Sequence, residues 1–282
     1  MDSPIVLSYV QVQPLLRARA EGASSTETSL DLGLTEISVQ IEAERVVLTG
    51  DEWLSWETIQ EIDESRTTCF AVEAHRADKI QRFSEAWNRY YSLMPTEGAP
   101  TLLVSGIPMH RIKDTTPDRD TLAKARTIAP LAGQVLDTAT GLGYTVIEAA
   151  KTAEHVVTIE LDPAVLDVAR LNPWSRQLFE NPKIEQIIGD SFEVVQDFEN
   201  ESFARIIHDP PTFSLAGDLY SGECYRNLFR ILKRRGRLFH YIGDLESRSG
   251  RNVARGVVRR LQEAGFGRIV RRPEAFGVVA YK

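Results

Sequence analysis

Three carboxylates, each following a short apolar run, carry the first chemical signal. Asp137 lies in VLDTATGLGYTVIEAAK, Glu160 in VVTIELDP and Asp190 in IIGDSFEVV. If each apolar run is a strand, all three acids stand at the carboxyl ends of successive strands. That is where open α/β sheets bind their ligands. Gly141 and Gly143 follow Asp137 in a loop of small residues, where a Cβ would collide with a ligand or block a positive φ. Glu160 comes seventeen positions after Gly143, the place from which a carboxylate accepts hydrogen bonds from ribose hydroxyls. Asp190 is placed to accept from an adenine amino group. A dinucleotide loop would carry a third glycine where Val146 stands, and no G-x-x-x-x-G-K-[ST] is present, which argues against NAD and nucleoside triphosphates. Asp137 suits an amine-bearing ligand better than a phosphate. The expected ligand is an adenosine carrying an amino acid.

A fourth acid has a different setting. His208-Asp209-Pro210-Pro211-Thr212-Phe213 ends another apolar run, and two prolines after an acid fix a rigid loop at a sheet edge. That loop turns its carbonyls and a carboxylate outward, and Asp209 is a candidate proton acceptor there. His240 and Tyr241 close the next strand, and Ser105–Arg111 (SGIPMHR) precede the Gly loop. His240 is therefore a candidate for the substrate side.

The positioning elements follow from periodicity. Strands at Gln134–Thr138, His155–Glu160, Lys183–Gly189, Phe203–His208 and Gly236–Ile242 alternate with helices at Tyr144–Lys151, Pro163–Leu171, Leu219–Leu232 and Arg251–Ala264. This alternation predicts a doubly wound, Rossmann-like α/β sheet. The closing strands, Gly267–Arg271 and Phe276–Tyr281, are too close for a helical crossover and must pair antiparallel or lie apart. Residues 1–98 read as a small strand-rich α+β module, with strands near Ile37–Ile41, Arg45–Leu48 and Thr67–Val72. Between them Trp53, Leu54, Trp56, Ile59 and Ile62 fall near one helical face, with Asp51 as its cap. Met94–Pro100, rich in Pro and Gly, reads as a linker, leaving residues 99–282 as the ligand-binding domain.

VLDTATGLG, VVTIELDP, IIGDSF and HDPP together resemble the class I S-adenosylmethionine-dependent methyltransferases over roughly the last 150 residues. The segments SGIPMHR, TGLGYTVIEAA, LNPWS and HDPPTFSLAGDLYSGECYRNLFRILKRRGRLFHYIGD resemble more closely a group of uncharacterised prokaryotic predicted methyltransferases. Ala139 stands where that family's first loop glycine would be. The resemblance implies that Asp137, Ala139, Gly141, Gly143 and Tyr144 line the methionine end of S-adenosyl-L-methionine. Glu160 and Leu161 then lie at the ribose, and Asp190 and Ser191 at the adenine. HDPP is similar to the [D/N/S]-P-P-[Y/F/W] loop of amino-methyltransferases, which implies that the Asp209 side chain and the Pro210 carbonyl accept from a target amine. Thr212 replaces the stacking aromatic and Phe213 comes one place late, which favours a non-planar amine over a flipped base. The expected activity is methyl transfer to an amine nitrogen. One alternative is an aminopropyltransferase of the spermidine synthase type, which likewise sets a strand-rich module and a Gly-containing strand ahead of such a domain; that resemblance implies that Met109 and His110 border the cofactor on the substrate side. Another is a non-catalytic RNA-binding module.

Composition sets the outer limits. The 282 residues are 43% hydrophobic and 26% charged, as in a soluble globular protein, and no run of eighteen apolar residues exists. The N-terminus lacks a basic leader, and the two cysteines, Cys69 and Cys224, are too few for a disulfide framework. A cytoplasmic enzyme without a metal is expected. The net charge of −7 divides unevenly: residues 224–282 hold 15 basic and 4 acidic groups, the rest 18 and 36. The basic segment reads as solvated helix faces, with RNA binding as the alternative. The acceptor is left open as a small amine, protein or RNA, no membrane partner is expected, and the N-terminal module is a candidate homo-oligomer contact or substrate lid.

Overall fold

The computed structural model describes residues 4–213 and 216–282. The chain divides into two compact units. One comprises the residues up to Asp118 together with Ala164–Arg176; the other comprises Arg119–Pro163 and Gln177–Lys282.

The first unit is built from short antiparallel strands. In chain order it holds β1 (Ile5–Leu7), α1 (Tyr9–Ala20), β2 (Ser25–Thr28), β3 (Ile37–Ile41), β4 (Arg45–Thr49), β5 (Glu52–Ser55) and α2 (Trp56–Glu64), followed by β6 (Phe70–Glu73), β7 (Arg76–Lys79), β8 (Gln81–Ser84), β9 (Arg89–Met94), β10 (Thr101–Val104) and β11 (Ile107–Pro108). They form three sheets, ordered β1-β6-β7, β2-β3-β4-β5 and β11-β10-β9-β8. Leu7, Leu15, Val46, Leu54, Ile59 and Phe70 share one apolar core. Two local expectations are corrected here. Trp53 and Leu54 belong to β5, where they pair with Val47 and Val46, and not to a helix. The helix begins only at Trp56, and Ser55, not Asp51, caps it by accepting from the Thr58 N–H. Residues 95–100 connect β9 to β10, whose ends pair as Met94 with Thr101.

The remaining elements follow the alternating pattern, the helix over 163–170 falling almost wholly in the first unit. After α3 (Pro117–Thr127) come β12 (Gln134–Asp137), α4 (Tyr144–Ala150), β13 (His155–Glu160), α5 (Pro163–Arg170), α6 (Arg176–Glu180), β14 (Ile184–Ile188), α7 (Ser191–Asp197), β15 (Phe203–His208), α8 (Gly222–Ile231), β16 (Leu232–Tyr241), α9 (Arg248–Glu263), β17 (Arg268–Arg272) and β18 (Gly277–Tyr281). The sheet runs β14-β13-β12-β15-β16-β18-β17. Its first five strands are parallel. β18 is antiparallel to both β16 and β17. This is the expected doubly wound, Rossmann-like sheet with an antiparallel C-terminal strand. The buried faces of β12, β13, β15 and β16 pack with α8 and α9 through Leu136, Ile159, Ile206, Leu228, Leu238 and Leu261. Helix α8 starts at Gly222 rather than Leu219, because Ser221 caps it by accepting from the Cys224 N–H. The preceding Gly217–Tyr220 forms a separate 3-10 turn. Strand order reverses at β12, which has β13 on one side and β15 on the other. A ligand crevice belongs beyond the carboxyl ends at that point.

Candidate active site

Asp137 ends β12 opposite Thr158 and Ile207. Its carboxylate is fully buried and caged by neutral donors: Thr145 Oγ1 at 2.7 Å, Thr158 Oγ1 at 3.2 Å and the Ala139 N–H at 3.1 Å. Since Thr158 donates to Asp137, Thr140 must donate to Thr158 across their 2.7 Å contact. Burial outweighs these dipoles and pushes the Asp137 carboxyl up to about 7.

The glycine loop is fastened to the neighbouring strands. Thr138 N–H donates to Ile207, and Thr140 N–H to Ile159. Gly143 has φ +75° as the N-cap of α4, and a Cβ there would stand 2.8 Å from Leu178. Gly141 has φ +53° but nothing within 4 Å of a Cβ position, so the loop's outer face is open beside it. At that open point Gly141 N–H donates to Glu160 Oε2 at 2.9 Å. Glu160 Oε1 accepts from Asp162 N–H at 3.2 Å. Burial pushes the Glu160 carboxyl up to about 7, against the pull of the Gly141, Asp162 and Leu161 backbone donors. Glu160 and the glycine loop are thus in direct contact.

Asp190 is exposed and caps α7, accepting from Phe192 N–H at 2.8 Å. Ser191 beside it is buried and donates to the Thr138 carbonyl at 2.6 Å, which ties the β14 end to the glycine loop. Ala139 and Leu161 are half-buried, and Tyr144 is buried.

The other rim lies at the ends of β15 and β16. Asp209 Oδ2 accepts from Lys124 Nζ at 2.6 Å, and Lys124 Nζ is 2.9 Å from Asp120 Oδ2. The Lys124 and Asp120 side chains are 3% and 0% exposed, against 20% for Asp209. The ammonium also sits 4.5 Å from the Tyr241 ring centre. Burial alone would lower Lys124, but Asp209 and Asp120 overcome it and hold the ammonium above the ordinary lysine range. Burial also pushes Asp209 up, with Lys124 pulling the other way. Sequence reading passed over Asp120 and Lys124. Their one signal is the i, i+4 Asp–Lys spacing on α3, which ordinarily marks a solvated helix face.

Pro210 is buried, and the Pro211 carbonyl accepts from Tyr220 OH at 3.1 Å. Phe213 is 54% exposed and meets Tyr220 edge-on at 5.5 Å. His208 and His240 pair in register across β15 and β16, with ring centres 4.5 Å apart. His240 is fully buried, and its Nε2 contacts Tyr225 OH at 2.8 Å. His208 Nε2 faces the Leu219 carbonyl at 2.8 Å and so carries the proton, leaving Nδ1 to accept from Thr138 Oγ1 at 2.7 Å. Burial lowers His208 to about 4 and His240 well below the ordinary range. Both rings are neutral supports under the Asp209 loop.

Met109 and His110 belong to the first unit. Met109 N–H donates to Leu102, and His110 Nδ1 lies 3.0 Å from Thr101 Oγ1. Among the described residues there is no cluster of three or more potential metal ligands, and no helix is long and apolar enough to cross a membrane.

The spermine/spermidine synthase domain family matches residues 134–245. The chain is 48% identical over 197 residues to the uncharacterised protein MJ1233 of Methanocaldococcus jannaschii, covering 69% of this chain and 68% of that one. It is 32% identical over 87 residues to a polyamine aminopropyltransferase of Sulfurisphaera tokodaii, a match covering 29% of each. The spermidine synthase of Thermotoga maritima shares the fold, with a TM-score of 0.56 at 21% identity over 71% of this chain and 70% of that one.

Proposed function

The chain belongs to the family of the M. jannaschii protein MJ1233, within the S-adenosylmethionine-dependent transferase superfamily, and from that premise we propose that it methylates an amine nitrogen. The observation that carries this reading is the pairing of two rims on one sheet. On one, Glu160 meets the open Gly141 backbone; on the other, Asp209 stands on a proline-stiffened loop after β15. The residues fit an adenosyl sulfonium. Glu160 exchanges its Gly141 and Asp162 donors for ribose hydroxyls, and Asp137 with its threonine cage fixes the loop under the amino-acid end. Asp190 keeps one oxygen on α7 and turns the other to the adenine.

S-adenosylmethionine, when bound, supplies a carbon on cationic sulfur, which an amine lone pair displaces to leave a neutral thioether. Asp209 orients the acceptor N–H and takes the proton as the new C–N bond forms, and the Pro210 carbonyl accepts a second N–H. Positioning and proton removal account for the rate expected of these residues. Phe213 and His240 serve the substrate side, His240 acting from beneath through Tyr225. The acceptor is an amine on a small molecule, protein or RNA.

Aminopropyl transfer from decarboxylated S-adenosylmethionine is the second reading, favoured by the match to the spermine/spermidine synthase domain. Transfer assays with the methyl-labelled sulfonium and with the aminopropyl-labelled decarboxylated form separate the two. Methyl label moving to an amine supports the proposal. Exclusive aminopropyl transfer, or no binding of either sulfonium, refutes it.

A further inference from the structure

A cation already sits beside the proposed proton acceptor. Lys124 Nζ lies 2.6 Å from Asp209 and 2.9 Å from Asp120, with 3% of its side chain exposed. Most lysines keep their charge in water, because burying an ammonium is costly unless it is paired. Here two carboxylates repay that cost, and the Tyr241 ring closes a further side at 4.5 Å. Without Lys124 the same carboxylates would form a buried seat of charge −2, suited to one ammonium of a diamine. With Lys124 in place the cluster carries −1, and its best-shielded cation position is filled by the chain itself.

We propose that Lys124 sets acceptor specificity: its ammonium occupies the place between Asp120 and Asp209 that the distal ammonium of a di- or polyamine would take, so the site accepts an amine with no second cationic arm. This rests on the reading of Asp209 as the group facing the acceptor, and it narrows that reading to a class of substrate. Lys124 does not touch the reacting atoms in this account; it acts by excluding a competing cation.

The test compares binding of 1,4-diaminobutane and butylamine by titration calorimetry to the full chain, with and without S-adenosylhomocysteine. The wild type is expected to hold the diamine no tighter than the monoamine. K124M is expected to tighten the diamine by about tenfold or more, with a much smaller change for the monoamine. Should the lone diacid destabilise K124M, K124M/D120N empties the same seat while keeping the charge at −1, and it is expected to tighten the diamine by about fivefold, with a smaller change for the monoamine. A wild type that prefers the diamine by about tenfold, or folded variants whose amine affinities match the wild type, would overturn the proposal. The nucleoside arm is scored separately: failure to bind S-adenosylhomocysteine counts against the transferase reading, while the amine ratios still decide the role of Lys124.

Discussion

The two rims of the parallel sheet hold their carboxylates in opposite ways. On the β12–β13 side, Asp137 and Glu160 are satisfied by hydroxyls and backbone N–H groups, and burial holds both carboxyls near 7. On the β15 side, Asp209 is satisfied by an ammonium. Neutral donors can be traded for ligand hydroxyls at small net cost, because one hydrogen bond replaces another. An ion pair cannot be traded so cheaply, since removing one partner strands a buried charge. The first rim is therefore suited to exchange with a nucleoside, and the second to a fixed charge beside the proposed acceptor.

The sharpest way to break this contrast is D209N. It keeps the shape and an acceptor oxygen but removes the base, and turnover is expected to fall by about 10³-fold while S-adenosylhomocysteine affinity stays within about threefold. Turnover within about threefold of the wild type would remove Asp209 from proton transfer. On the other rim, G143A forces a Cβ toward Leu178 at φ +75°, and urea unfolding is expected to show a loss of about 2–4 kcal/mol. G141A, equally left-handed but with open space, is expected to cost about 1 kcal/mol. Equal costs would show that Leu178 gives way freely.

The pH dependence is milder. In the proposed ribose contact Glu160 must be ionised for both oxygens to accept, and its carboxyl is held near 7. Nucleoside affinity is therefore expected to rise about tenfold from pH 6 to pH 8 and to be flat in E160Q. Stability runs the other way: acids raised above their ordinary range stabilise the fold fully below about pH 4, and that contribution fades as pH rises through about 7. A ligand-free melting temperature that climbs over this range would contradict the burial of Asp137 and Glu160.

Much of the first rim was legible in the sequence because each clue lies within its own strand–loop–helix step, and the steps follow one another along the chain. Apolar runs gave the strands, Gly141 and Gly143 gave the left-handed loop, and strand ends gave the acids. The second rim was legible only at Asp209 and its prolines. Lys124 comes from a helix 85 positions upstream of Asp209, and PDRDTLAKART is mostly polar, with Leu122 its one large apolar side chain. Only the fold reveals that its Asp120–Lys124 pair faces inward. The His208–His240 contact depends likewise on β15 and β16 being neighbours. Near Trp53 the apolar residues fit both periods, and the β4–β5 pairing chose the strand.

The most direct test of the central claim is a crystal structure of the chain with S-adenosylhomocysteine. Both ribose hydroxyls are expected on Glu160, with its bond to Gly141 N–H opened, and the sulfur turned toward the Asp209 loop. A nucleoside bound elsewhere, with Glu160 still fastened to Gly141, would contradict it.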